Sequence, residues 1–176
     1  MIILISGVQG VGKTTIINEI LKECPNYKLS ISATTRPMRH NEFSNEYEFL
    51  TLDEFQEKEK NGYFLEVVEF NNYKYGTPLH QFKSHIILNV NPSSIIDFQK
   101  LFKIHNFNYK SIFINAPFSI IKERLSIRDN NQNLEEKIIK AKKEIIYKDY
   151  FHYIVDNIFI EKALEEIIFI IKKSIT

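Results

Sequence analysis

Eight residues near the start constrain this chain more than any others: Gly7-Val8-Gln9-Gly10-Val11-Gly12-Lys13-Thr14. They follow an apolar run, Ile2 to Ile5, that reads as a strand, and they open a pattern from Thr15 to about Lys22 that predicts a helix. The spacing G-x-x-x-x-G-K-T in this setting is that of a phosphate-cradling loop. Its glycines let successive N–H groups converge on one point, and the helix start behind them adds partial positive charge. Gly7, Val8, Gln9, Gly10, Val11, Gly12, Lys13, Thr14 and Thr15 are therefore expected to bind a nucleotide. Lys13 would reach its β- and γ-phosphates, and the Thr14 hydroxyl would ligate the Mg²⁺ that travels with it.

Composition narrows what else the chain can be. With 176 residues, 44% hydrophobic and 26% charged, it has material for one core and little for a second independent domain. A net charge of +1 gives no general field for nucleic acid or a membrane surface, so neither is expected as a partner. The single Cys24 excludes an internal disulfide and fits a reducing compartment. The apolar stretch from Ile2 is too short for a signal-peptide core and leads straight into the loop, and Ile167 to Ile171 is far too short to span a bilayer, so no targeting segment and a cytoplasmic protein are expected. The five histidines show no zinc-type spacing with the lone cysteine.

Tyr27 to Ser32 reads as a short strand, ending in Ser32-Ala33-Thr34-Thr35-Arg36-Pro37-Met38-Arg39. Two arginines three apart beside a proline make a donor-rich loop suited to a second anion. Downstream stand Tyr47, Phe64-Leu65-Glu66 and Tyr73-Lys74-Tyr75-Gly76-Thr77. With Lys110-Ser111-Ile112-Phe113-Ile114, Arg124-Leu125-x-x-Arg128 and Tyr153-Ile154-Val155, this ordered set resembles guanylate kinase over nearly the whole chain.

The resemblance implies an α/β fold, a P-loop NTPase-type parallel sheet flanked by helices. It carries an inserted GMP-binding segment (33–77) and a small lid (125–143), on a core of 1–32, 78–124 and 144–176. It also implies roles. Ser32, Arg36, Arg39, Tyr47, Glu66, Tyr75 and Thr77 would hold GMP, the arginines and tyrosines on its phosphate and Glu66 on its base. One ionised carboxylate can accept guanine's N1–H and 2-amino group together, whereas adenine puts an acceptor at N1. Arg124 and Arg128, four apart on one helical face, would reach over the ATP phosphates. Lys13, Arg36, Arg124 and Arg128 would be the catalytic cations, and the protein a monomer or homodimer.

This chain departs from the family at several places. The predicted strand from Ile86 to Val90 ends in Asn89-Val90-Asn91-Pro92, where the family has Asp-x-Asp. Asn89 would offer a metal an oxygen without charge, and the two asparagines are equally readable as strand-end caps. The connection from Thr77 to Ile86 is shorter than the family's and is expected to lack its helix. The predicted helix from Leu134 to about Tyr147 has no arginine, leaving Lys137 or Lys140 as stand-ins. Asp156-Asn157 resembles a family Asn-Asp pair in reversed order. Leu52 to Lys60 reads as a solvated helix and Glu69 as a surface residue. A final helix from Glu161 to Lys173 would bury Ala163, Leu164, Ile167, Ile168 and Ile171.

No nucleophile-and-base pair stands out, which agrees with phosphoryl transfer from ATP to GMP. The attacking phosphate oxygen is already ionised near neutral pH, its second pKa being about 6. Two other readings share the loop and the arginines. A ribose 1,5-bisphosphate phosphokinase would need no guanine-reading Glu66, and a non-catalytic guanylate-kinase-like module would bind a phosphopeptide without turnover.

Overall fold

The computed structural model describes residues 1–38, 47–129 and 132–173. The chain divides into two compact units, Met1–Leu29 with His85–Thr176, and Ser30–Ser84.

The first unit is built on strand β1, Ile2–Ser6, whose five residues are all buried. An unbroken apolar run is what a parallel strand covered on both faces requires. Beside it lie β7 (Ile86–Asn89) and β8 (Tyr109–Asn115), and outside these β2 (Lys28–Leu29) and β9 (Tyr153–Asp156). The order among the described residues is β2-β7-β1-β8-β9, all parallel. Helices α1 (Lys13–Glu23), α3 (Ile95–Ile104), α4 (Phe118–Asp129), α5 (Leu134–Glu144) and α6 (Ile160–Lys172) complete this unit. The sheet core includes Ile3, Leu4, Ile5, Ile87, Ile112 and Phe113, with Ile16, Ile20 and Ile167 of the helices also fully buried.

The second unit holds a four-stranded sheet ordered β4-β3-β6-β5: β3 is Ala33–Thr34, β4 Glu48–Phe49, β5 Phe64–Phe70 and β6 Tyr73–Pro78. Strands β5 and β6 form a hairpin turning at Asn71 and Asn72, both with positive φ, as a two-residue turn of the primed type demands. Helix α2, Leu52–Lys60, starts in a capping box: the Thr51 hydroxyl accepts the Glu54 N–H while the Glu54 carboxylate accepts the Thr51 N–H. It buries Phe55, whose ring stacks on Phe64 with centroids 4.5 Å apart.

Several expected elements differ. Tyr27 to Ser32 is not one strand: β2 stops at Leu29, and the Ile31 N–H and C=O are taken by the Gln81 side-chain amide at 3.1 and 2.8 Å, an acceptor and a donor standing in for a neighbouring strand. Helix α1 begins at Lys13 rather than Thr15. The Leu134 helix ends at Glu144 and tightens into a 3₁₀ turn over Ile145–Tyr150. The connection from β6 to β7, expected to lack the family's helix, holds only a 3₁₀ turn, Leu79–Lys83. On α6 the fully buried face is Ala163, Ile167, Ile170 and Ile171, with Leu164 and Ile168 half-buried. The helix thus turns its apolar face slightly from the one read off the spacing.

Candidate active site

In the first unit, Gly7 to Gly12 leads from the end of β1 into α1. Gly7 has φ +147°, and a Cβ there would run into the Ile114 carbonyl oxygen, so only glycine fits. Gly12, at φ +97°, caps α1 without a side-chain hydrogen bond, and the first turn holds no acidic residue. The N–H groups that open α1 thus meet no carboxylate of their own turn, which favours an anion there. They border a cavity of about 530 Å³ lined by Gln9, Gly10, Gly12, Lys13, Thr14, Thr15, Arg124, Arg128, Asn157 and Ile160. The cavity thus gathers most of the expected nucleotide-binding residues, while Val8 and Val11 are buried behind it.

The Lys13 ammonium folds back on the loop, donating to the carbonyls of Gly7 at 2.5 Å and Val8 at 3.1 Å. Burial pulls its pKa down from 10.5 to about 8; Glu144 opposes the shift, and the charges of Arg128 and Lys140 reinforce it. Arg124 spans the loop and the segment after β9, Nη1 donating to the Val11 carbonyl and Nη2 to the Asn157 carbonyl, each at 3.0 Å. Of the two lysines weighed for the lid helix, Lys137 donates to the Gln132 carbonyl at 2.8 Å. Lys140 is the one whose charge reaches Lys13, and it lies 3.7 Å from Glu144.

Asn89 ends β7 exposed, in register with Ile5 two residues before Gly7. Asn91 precedes the 3₁₀ turn Pro92–Ser94 and makes no side-chain cap bond. Among the described residues no group of three or more His, Cys, Asp or Glu could hold a metal by itself.

In the second unit the remaining residues share one sheet. Glu66 and Thr77 face each other across β5 and β6, and the Thr77 hydroxyl donates to Glu66 Oε1 at 2.8 Å. Tyr75 pairs with Thr34, and its ring centroid lies 6.2 Å from that of Tyr47. Arg36 is buried, its backbone N–H held by Thr34 Oγ1 and its Nη1 by the Pro37 carbonyl. Its guanidinium carbon lies 5.6 Å from the Tyr47 ring centroid and 5.8 Å from that of Phe49. The Ser32 carbonyl accepts the Glu48 N–H, tying β4 to the strand before it. Glu69 is exposed, as a surface residue. Arg39 lies outside the described residues, as do Asn130 and Asn131 at the expected lid tip.

Sequence reasoning passed over two residues. Phe49 flanks Arg36, a place signalled only by its alternation with Tyr47. Asn157 lines the nucleotide cavity, a place that nothing in the Asp156-Asn157 pair signals.

The family model described as guanylate kinase matches residues 1–174. The chain belongs to the guanylate kinase family. Two relatives bear this out at the level of sequence. Guanylate kinase of Mesomycoplasma hyopneumoniae (strain 7448) is 39% identical over 99% of this chain and 95% of its own length. Guanylate kinase of Thermotoga maritima is 33% identical over 97% and 86%. A crystal structure of guanylate kinase from Anaplasma phagocytophilum superposes with TM-score 0.71 at 24% identity, covering 99% of this chain and 85% of that one, which speaks for the fold. This guanylate kinase family member is accordingly a nucleoside monophosphate kinase of P-loop NTPase fold, and guanylate kinases draw their phosphoryl group from ATP. Neither a sugar-bisphosphate kinase nor a non-catalytic module is favoured by these relatives. No helix among the described residues is long and apolar enough to cross a membrane.

Proposed function

We propose that the enzyme transfers the γ-phosphoryl group of ATP to the phosphate of GMP, giving ADP and GDP, with dGMP as a second candidate acceptor. The observation that carries the guanine assignment is the Thr77–Glu66 hydrogen bond, which orients a carboxylate within the sheet that also bears Arg36, Tyr47 and Tyr75. A carboxylate so held accepts two adjacent donors of guanine and meets an acceptor on adenine, and a site built this way discriminates strongly because the wrong base leaves buried groups unpaired. Ser32 and Thr77 complete the base contacts, and Arg36, Arg39, Tyr47 and Tyr75 hold the acceptor phosphate.

The acceptor oxygen is its own nucleophile, so the protein supplies alignment and charge rather than a base. On the donor side the loop N–H groups, Lys13, Arg124 and Arg128 bind the phosphates and offset charge as the phosphoryl group moves. Mg²⁺ suits the residues present: the Thr14 hydroxyl lines the cavity, and Asn89, next to β1 in register, has a carbonyl oxygen of the hard type this ion prefers. Thr14 would hold it with Asn89 as a second candidate, and the ion would supply charge neutralisation between the phosphates. With no aspartate at 89, the nucleotide carries most of its affinity for the protein.

In this reading 33–77 is the acceptor-binding segment and 125–143 the lid, both on the core of 1–32, 78–124 and 144–176, in a cytoplasmic monomer or homodimer. The test is ADP production with Mg²⁺–ATP against GMP, dGMP, AMP and ribose 1,5-bisphosphate. GMP should be the preferred acceptor. AMP used equally well, or GMP bound without turnover, would overturn the reading.

A further inference from the structure

Asn157 is 2% exposed and sits directly after β9, where its backbone N–H donates to the Asn115 carbonyl at 2.7 Å. Its side chain reaches across the chain to the phosphate loop, Nδ2 donating to the Val11 carbonyl at 2.8 Å. Arg124 donates to that same carbonyl and to the carbonyl of Asn157 itself. Three hydrogen bonds thus close a ring through the loop, α4 and the segment after β9.

We propose that Asn157 is a positioning residue for the phosphoryl donor, clamping the Val11–Gly12 peptide so that the Gly12 N–H faces the nucleotide cavity. The inference rests on the phosphoryl-transfer reading above. In a trans peptide the carbonyl and the following N–H point in opposite directions, so holding the carbonyl in place fixes where its N–H aims. Arg124's two acceptors are neutral carbonyls, which an anionic phosphate outcompetes as a partner. When Arg124 turns to the nucleotide, the Asn157 amide still satisfies the Val11 carbonyl and the loop keeps its shape.

Two further observations point the same way. Asn157 Oδ1 is buried with no hydrogen-bond partner, a destabilising arrangement that packing alone would not maintain. A Cβ on Gly12 would lie 2.6 Å from Asn157 Nδ2, so the amide sits against the loop where only a glycine leaves it room.

The test is steady-state kinetics of Asn157→Leu and Asn157→Asp with ATP and GMP varied separately, alongside thermal unfolding. Leucine removes the donor without adding charge, and aspartate removes it without changing size. Both should raise KM for ATP about tenfold, the scale of one lost buried hydrogen bond, while KM for GMP stays within about twofold. If leucine prevents folding, Asn157→Ala takes its place. A purely structural residue would instead move both KM values together with the melting temperature, and that result overturns the proposal. Wild-type protein that fails to phosphorylate GMP would sink the functional reading, whereas active wild type with an unchanged KM for ATP in the folded variants sinks only the role of Asn157.

Discussion

Raising the pH should weaken ATP binding while leaving GMP binding alone. The cause is Lys13, whose burial beside the loop holds its pKa down at about 8 in the free enzyme, against 10.5 for an ordinary lysine. Bound phosphates favour the ammonium form and return that pKa to its ordinary range or above. Below pH 8 the lysine is already charged when ATP arrives. Above it, each ATP bound must bring a proton, and affinity falls. The protonated fraction of free enzyme drops from about 90% at pH 7 to about 10% at pH 9, so Kd for ATP should rise about tenfold, or roughly 1.4 kcal/mol. The phosphates of ATP and GMP, with second pKa values near about 6, are fully ionised over most of this window and add no comparable slope. Calorimetric titration at pH 7, 8 and 9 measures the change. Repeating it at pH 8.5 in two buffers of different ionisation enthalpy counts the protons taken up. A flat Kd for ATP, or an equal fall in GMP affinity, would refute the argument. The shift has a counterpart in stability: because folding lowers this pKa, the charged lysine is penalised in the folded state, and the apoprotein should gain stability as pH rises from 8 towards 10.5.

Glu66→Gln puts an amide donor opposite the guanine donors, and should cut the preference for GMP over AMP by about tenfold to a hundredfold in kcat/KM, with an unchanged ratio counting against the base-reading role. Gly76→Ala would bring a Cβ within 2.7 Å of the Phe64 ring, itself stacked on Phe55. The crowding should cost about 1–3 kcal/mol in denaturant unfolding and raise KM for GMP, and trimming the ring with Phe64→Leu in the same chain should recover part of both. No recovery in the double variant would show the clash to be the wrong cause.

The phosphate loop could be read directly because its chemistry is local: eight consecutive residues carry the glycines, the lysine and the hydroxyl. Strands β1, β7 and β8 were visible for a related reason, since burial on both faces leaves a continuous apolar run. What escaped the reading depends on partners far along the chain. Nothing in Ile31 reveals that the Gln81 amide will occupy its backbone and end the strand early. The apolar spacing of α6 limits the buried face but does not choose between Ile168 and Ile170, because that choice depends on how the helix is rotated against its neighbours. Asn157 is separated from Val11 by 146 residues, and only folding brings its amide to the loop.

The β5–β6 hairpin turns through just two residues, Asn71 and Asn72, and that count fixes which side chains of β5 face which side of the sheet. Glu66 stands opposite Thr77 only while the count holds. Losing one asparagine from the tip would shift the strand by a step and carry the carboxylate to the other side. On the proposed base-reading role of Glu66, a single-codon deletion at the hairpin tip would then leave Arg36 and Tyr75 in place in a protein that no longer tells one purine from another.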